Sequence, residues 1–228
     1  MATIFSPDSK ASLVLRRIAD GCYLNVLWFV CSLPVFTIGA ATTAMYDVTL
    51  RIAENREGDV TQQFFRAFRR NFRQATVIWL ILLALGVFLG ADIYVLVHLR
   101  AASTGGVAVF WTIILALVIV ACIAYLVEFM FVFPLIAYVE NTNRAMLVNA
   151  LLIGTHYLNC TLCVFGIHFV MAVIAIRFFT PILILGEGLC AVLSSYLFSP
   201  VFRICAAKPK DEETQGAQQG DDEPVDQP

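Results

Sequence analysis

The sequence predicts an all-α, polytopic membrane protein with four to five transmembrane helices, a proline-broken first segment and an amphipathic interfacial helix. Of the 228 residues, 60% are hydrophobic and only 14% are charged, whereas an ordinary soluble domain has about 25% charged residues. Several apolar segments also reach the length of about 20 residues that a helix needs to cross a bilayer. The chain is therefore expected to pass through a membrane repeatedly.

A single integral membrane domain, residues 1–206, is predicted to be followed by a disordered acidic tail, residues 207–228. The tail contains 7 of the 17 Asp and Glu residues and no aromatic residue, so it has too little apolar surface to fold alone. Because only 2 of the 15 Lys and Arg residues lie in the tail, the membrane domain itself is mildly basic. Such a domain suits a bilayer that contains anionic lipids.

Residues 25–50, NVLWFVCSLPVFTIGAATTAMYDVTL, form an apolar segment that a proline interrupts. Pro34 lacks a backbone donor and crowds the carbonyl four residues earlier, so a helix is expected to break near it. The following TIGAATTA consists mostly of small residues, which let another helix approach closely. We therefore predict a helix-packing centre that involves Ser32, Leu33, Pro34, Thr37, Gly39 and Ala40.

Residues 61–75, TQQFFRAFRRNFRQA, show the clearest amphipathic pattern in the chain. At 100° per residue, four phenylalanines share one face and Arg66, Arg69, Arg70 and Arg73 share the opposite one. This pattern predicts an interfacial helix over about residues 60–75, with its aromatic rings at the headgroup boundary and its arginines attracting anionic lipids. Binding of nucleic acid is disfavoured, because that chemistry interleaves aromatic and basic groups.

Four more apolar segments follow, at about residues 76–97, 107–127, 146–176 and 178–202, and each is long enough to span. Ionisable side chains in such segments usually face a cavity or a partner, because a charge at mid-bilayer is costly. Asp92, Glu128 and Glu187, together with Arg177, are candidate intramembrane polar residues on this ground. The alternative is that they lie near helix ends, in a turn or at a helix break.

Two of these stretches, LWFVCSLPVFTIGAATTAMYDVTL and FFRAFRRNFRQATVIWL, resemble the YesL-type bacterial membrane proteins, a family without a defined biochemical function. The later FPLIAYVENT and NALLIGTHYL extend the resemblance over most of residues 13–205. It implies a multi-pass protein of the bacterial cell membrane. Because genes of this family often stand beside genes for carbohydrate uptake and degradation, it also implies a carbohydrate transport system as a possible partner.

Motifs for chemistry are missing from the sequence, which contains no P-loop, GxSxG, HExxH or dinucleotide fingerprint. The seven cysteines lie in or beside apolar segments, and the Cys160/Cys163 pair has no second pair with which to form a metal site. We therefore predict a non-catalytic protein without cofactor or metal that assists carbohydrate uptake. A small transporter or channel is the second hypothesis, and an intramembrane enzyme is the third.

The distribution of basic residues predicts a cytoplasmic carboxyl terminus for either of two topologies. If residues 13–54 cross the membrane, five Lys and Arg residues lie outside, whereas a re-entrant hairpin leaves only Arg100 and Arg177 outside. The hairpin fits the positive-inside rule better. It requires that the non-spanning backbone be shielded by protein.

Overall fold

The computed structural model describes residues 10–56, 58–178 and 181–220, and these residues form α-helices joined by short connections. The prediction of an all-α polytopic protein is confirmed for this part of the chain, which contains no strand. The helices are α1 (Lys10–Ser32), α2 (Ile38–Ala53), α3 (Val60–Ala102), α4 (Gly105–Tyr138), α5 (Asn143–His156), α6 (Leu158–Phe178) and α7 (Pro181–Gly220).

Helices α1 and α2 form an antiparallel hairpin around the break at Pro34. A short 3₁₀ turn follows the proline, and the Thr37 hydroxyl donates to the carbonyl of Cys31 at 2.6 Å. Across the hairpin, Trp28 donates to Thr42 at 3.0 Å. Near its open end, Arg17 of α1 donates to Asn55, just beyond α2, at 2.7 Å. The two ends of the segment therefore lie side by side, as in the re-entrant alternative.

Helix α2 lies at the centre of the molecule, where it contacts α1, α3, α4 and α7. Its small residues permit this crowding. A Cβ atom at Gly39 would lie 2.5 Å from Trp79 Cβ and 2.6 Å from the Ala75 carbonyl oxygen. Only glycine fits where α2 and α3 approach this closely.

Aromatic rings from α4 and α7 pack beside α2. The Phe131 and Phe198 ring centroids are 5.0 Å apart, and Phe198 stacks on Phe202 with centroids 5.5 Å apart. All three side chains are fully or almost fully buried. These contacts join the end of α4 to α7.

The amphipathic stretch predicted to be a separate interfacial helix is instead the first part of α3. The helix begins after Asp59, whose side chain accepts from the Gln62 amide at 2.8 Å. No Gly or Pro separates the Phe/Arg stretch from the apolar stretch that begins at Thr76, so the helix continues through both. Its 43 residues extend over about 64 Å at 1.5 Å per residue.

Among the described residues, three helical segments are long and apolar enough to cross a membrane: α3, α4 and Gly186–Cys205 of α7. Helices α5 and α6 pass the same test together, but they meet at 96°. The count is therefore three, or four if the bent pair crosses, and four agrees with the lower end of the four to five predicted. The first segment is not counted because it folds back, and the apolar residues 146–176 are broken at Tyr157.

Helix α7 continues to Gly220, into residues for which composition predicts disorder. Nine of the 14 residues 207–220 are Ala, Lys, Glu or Gln, which are good helix formers, whereas Pro209 and Gly216 in the same stretch disfavour a helix. The remainder of the predicted tail, residues 221–228, lies outside the described residues.

Candidate functional site

A buried carboxylate in the second half of α2 organises a polar site between α2 and α3. Asp47 is 4% exposed and accepts from Arg51 Nε at 2.8 Å through Oδ2. Its Oδ1 accepts from Arg70 Nη2 of α3 at 3.0 Å. The i, i+4 spacing on α2 supplies the first arginine, and the packing of α2 on α3 supplies the second. Two cations offset the cost of burying the carboxylate.

This ion-pair cluster forms one wall of an open pocket of about 360 Å³, here called the charged pocket. Its remaining walls come from the connection after α2, from the end of α4 and from the connection after α4. The lining residues are Asp47, Leu50, Arg51, Arg56, Arg70, Ala137, Tyr138, Val139 and Glu140. Three guanidinium groups therefore meet two carboxylates in one pocket. The hydrogen bond that Arg51 donates to Asp47 raises the pKa of this guanidinium group.

A second open pocket of about 380 Å³ adjoins the first and shares Arg56 and Tyr138 with it. Glu54 accepts from Arg56 Nη2 in this region, and the Ser199 hydroxyl donates to Glu54 Oε1 at 3.3 Å. Arg203 of α7 completes the set of ionisable groups that line it. The two pockets together carry four arginines and three carboxylates.

The charged pocket can hold an anion or a polyhydroxylated group by hydrogen bonds and charge. Guanidinium groups bind carboxylate and phosphate through paired N–H donors. Within the described residues, no group of three or more His, Cys, Asp or Glu side chains is arranged to hold a metal ion. The seven cysteines are free thiols.

The motif residues of the first segment occupy two environments. Leu33 and Pro34 are exposed at the tip of the α1–α2 hairpin, beside the half-buried Ser32. Gly39 and Ala40 are buried against the neighbouring helices. Thr37, between the two groups, is also buried and holds the turn through its hydroxyl. The motif thus forms both the hairpin tip and the first turn of the central helix.

Of the four arginines predicted to bind lipid headgroups, Arg70 lies in the charged pocket and pairs with Asp47. The other three, Arg66, Arg69 and Arg73, are exposed on the same part of α3. The helical periodicity of the sequence placed the four arginines on one face of the helix. It could not show that Asp47 of α2 lies beside one of them, Arg70.

The predicted intramembrane acids lie on three different helices: Asp92 on α3, Glu128 on α4 and Glu187 on α7. All three are half-buried. Glu187 Oε1 lies 3.7 Å from His168 Nε2, and both side chains are 28% exposed. Arg177 is exposed near the end of α6. The structure therefore brings a His beside one of these acids, and it does not gather the acids into one site.

Sequence reasoning missed Asp47 and Arg51 as site residues. The available signal was an acidic residue inside an apolar stretch with an arginine four positions later, in DVTLR. No comparable signal marks Arg56, which lies in the connection after α2. Tyr138 and Glu140 reach the pocket only through the packing of α4 beside α2.

Comparison with known proteins finds one family model and one curated relative that match parts of the chain. Residues 22–93 match the family described as protein of unknown function, DUF624. The chain is similar to the uncharacterized protein YesL of Bacillus subtilis (strain 168), with 30% identity over 129 residues. The aligned region covers 55% of this chain and 57% of YesL, so it spans little more than half of that relative. No solved structure matches the chain.

Proposed function

We propose that the chain is a YesL-type membrane protein and that it assists a solute-uptake system without catalysing a reaction. The match of residues 22–93 to DUF624 and the similarity to YesL support the first part of this proposal. The membrane helices of the chain would contact the uptake system within the bilayer, and its charged end would face the cytoplasm. Carbohydrate is the proposed class of solute. That choice rests on the resemblance to the family, whose genes often stand beside genes for carbohydrate uptake.

The separation of charged groups is the observation that supports this proposal. The acids within the candidate membrane helices, Asp92, Glu128 and Glu187, lie on separate helices. The charges that do converge lie at one end of the helices, around Asp47. A solute pathway needs polar groups along its length, whereas an accessory protein needs only contact surfaces and a stable fold.

Copurification is the direct test. The tagged protein would be extracted from its native host in mild detergent, and the proteins that accompany it would be identified by mass spectrometry. We expect components of a carbohydrate transporter in stoichiometric amounts. An unrelated, equally tagged polytopic protein from the same host serves as the control. Recovery of the protein alone, with solute flux after reconstitution in liposomes, would contradict the proposal.

A small transporter is the second candidate function, and the pair of His168 and Glu187 is the observation that favours it. Such a pair can exchange a proton or contact a polar solute. Replacing Glu128 and Glu187 by Gln separates the two candidates. A transporter should lose flux while remaining folded, whereas an accessory protein should keep both its partners and the uptake activity of the host.

We further propose that the protein resides in the bacterial plasma membrane with its carboxyl terminus in the cytoplasm. The exposed arginines of α3, Arg66, Arg69 and Arg73, support this orientation under the positive-inside rule. Changing these three to Glu should weaken insertion or invert reporter fusions at the carboxyl terminus. Arg70 is left intact because it pairs with Asp47. Unaltered reporter orientation would count against the proposed role of these arginines.

A further inference from the structure

We propose that the charged pocket binds a phosphate ester that carries hydroxyl groups. Two sources have this chemistry: a free sugar phosphate and the glycerol-bearing headgroup of phosphatidylglycerol. The inference goes beyond the proposed accessory role and does not depend on it, because it concerns a ligand of the pocket and not a protein partner.

The donors of the pocket are held in place before any ligand arrives. Asp47 fixes Arg51 on α2 and Arg70 on α3, and α2 is the most enclosed helix of the fold. Among the described residues, Arg70 uses only Nη2 in this pairing, which leaves Nε and Nη1 for a ligand. The Arg51 and Arg70 side chains are 26% and 43% exposed, so an incoming anion can reach them. Pre-organised donors lose little entropy on binding.

The balance of charge favours an anion. Asp47 is enclosed by its two arginines, and Arg56 pairs with Glu54. When the adjoining pocket is included, the four arginines exceed the three carboxylates by one. A phosphate monoester or diester would therefore meet an uncompensated positive charge, and two-pronged contacts from guanidinium groups suit its oxygens.

The opposite wall explains why the ligand should carry hydroxyl groups. Glu140 is exposed where the connection after α4 borders the pocket, and the half-buried Tyr138 lies beside it. A carboxylate cannot donate a hydrogen bond to phosphate, but it accepts bonds from hydroxyls. A volume of about 360 Å³ lies at the lower end of the range for small-molecule sites. It suits a monosaccharide phosphate or a glycerophosphate headgroup.

The pocket lies at a depth in the membrane interface that both a lipid headgroup and a soluble sugar phosphate can reach. Arg70 precedes the apolar stretch of α3, which begins at Thr76, by six residues. At 1.5 Å per residue this separation is about 9 Å, a distance comparable with the thickness of the headgroup layer on one side of a bilayer. A headgroup and a soluble phosphate ester can both occupy that layer.

The experiment uses the full-length protein and has two arms. In detergent, binding of glucose 6-phosphate is measured by calorimetry, with glucose as the unphosphorylated control. In nanodiscs, the melting temperature is compared between phosphatidylglycerol and phosphatidylcholine. Binding of glucose 6-phosphate, but not of glucose, identifies a soluble ligand. Stabilisation by phosphatidylglycerol without binding of glucose 6-phosphate identifies a lipid headgroup.

Three variants test whether either response arises from the charged pocket. Arg70→Gln and Arg56→Gln remove lining cations and should weaken binding about tenfold or more, or abolish the lipid-dependent rise in melting temperature. Arg100→Gln removes an exposed cation from the same helix, outside the pocket and outside the basic face predicted to contact lipid, and should leave both readouts unchanged.

Arg70→Gln removes a partner of Asp47 and can therefore disturb folding. In that case Arg56→Gln is the variant that tests the pocket, because Arg56 pairs with Glu54 and not with Asp47. Absence of a response in both arms, or an equal loss in Arg100→Gln, would overturn the inference. Failure to copurify a transporter would refute the accessory role alone and leave this test intact.

Discussion

Helices α2 and α4 differ in the kind of residue that they bury. The most apolar 18-residue stretch of α4 has none of its residues buried, whereas α2 buries Thr43, Asp47 and Thr49 almost completely. A soluble protein would show the reverse, with its apolar helix inside. In this chain, strong apolarity marks the surface available to lipid, and small or polar residues mark the contacts between helices.

The difference has a physical cause. Lipid tails are as apolar as Leu, so helices gain nothing by hiding Leu, Ile and Val from them, and association relies on close packing and hydrogen bonds. The last two turns of α4 behave like α2, since Phe131 to Ala137 are buried among the other helices. One helix therefore contains both environments, which makes it the best place to test the comparison.

The largest effect is expected from truncating a buried ring of α4. Phe131→Ala removes a side chain with no exposed surface and should cost about 3 kcal/mol, because the cavity cannot be filled by lipid. Phe110→Ala, at a position of the same helix that is 55% exposed, should cost less than about 0.5 kcal/mol. Thermal or denaturant unfolding in detergent measures both. Equal losses would show that α4 is enclosed along its whole length.

The buried carboxylate should give the next largest effect. Asp47→Ala leaves Arg51 and Arg70 without their partner, and we expect a loss of about 2–3 kcal/mol, below that of a fully buried pair since both arginines are partly exposed. Asp92→Ala removes a half-buried carboxylate of α3, for which we expect unchanged or slightly raised stability. Similar losses for the two variants would refute the structural role of the Asp47 cluster.

Adding a single methyl group where the backbones of α2 and α3 approach closely should lower stability. Gly39→Ala forces α2 away from Trp79 and Ala75 and should cost about 1–3 kcal/mol. At Gly90 on α3 a Cβ would meet no atom within 4 Å, so Gly90→Ala should be neutral or stabilising through helix propensity. The midpoint of unfolding in detergent distinguishes them. A tolerated Gly39→Ala would mean that α2 and α3 are packed less closely.

A buried hydroxyl pair should give the smallest effect. The Thr49 and Ser195 hydroxyl oxygens lie 2.7 Å apart between α2 and α7, and hydrogen bonds between membrane helices contribute roughly 0.6 kcal/mol on average. Thr49→Val should lower stability by about that amount. Thr155→Val, at an exposed position whose hydroxyl bonds within its own helix, is the control. An effect as large as that of Asp47→Ala would mean that polar contacts of all kinds anchor α2 equally.

Composition and local pattern were sufficient to predict the helical class and the break at Pro34, since both depend on residues that are neighbours in sequence. The length of α3 could also have been expected, because no helix-breaking residue separates its basic and apolar parts. The charged pocket could not have been predicted from the sequence. Arg70 meets Asp47 across 23 positions of sequence, and Glu140 lies on a third element, so the site exists only once three helices have packed.

The bend between α5 and α6 determines whether the chain crosses the membrane an odd or an even number of times. The α1–α2 hairpin returns to the side from which it came, and α3, α4 and α7 provide three passages. Ser199 and Arg203 of α7 line the same pocket as Tyr138 at the end of α4, so the bent pair must carry the chain to the opposite end of the molecule before α7 returns. With four passages, all 15 Lys and Arg residues except Arg100 and Arg177 lie on the starting side. Two short helices that meet at 96° around Tyr157 thereby make the passage on which agreement with the positive-inside rule depends.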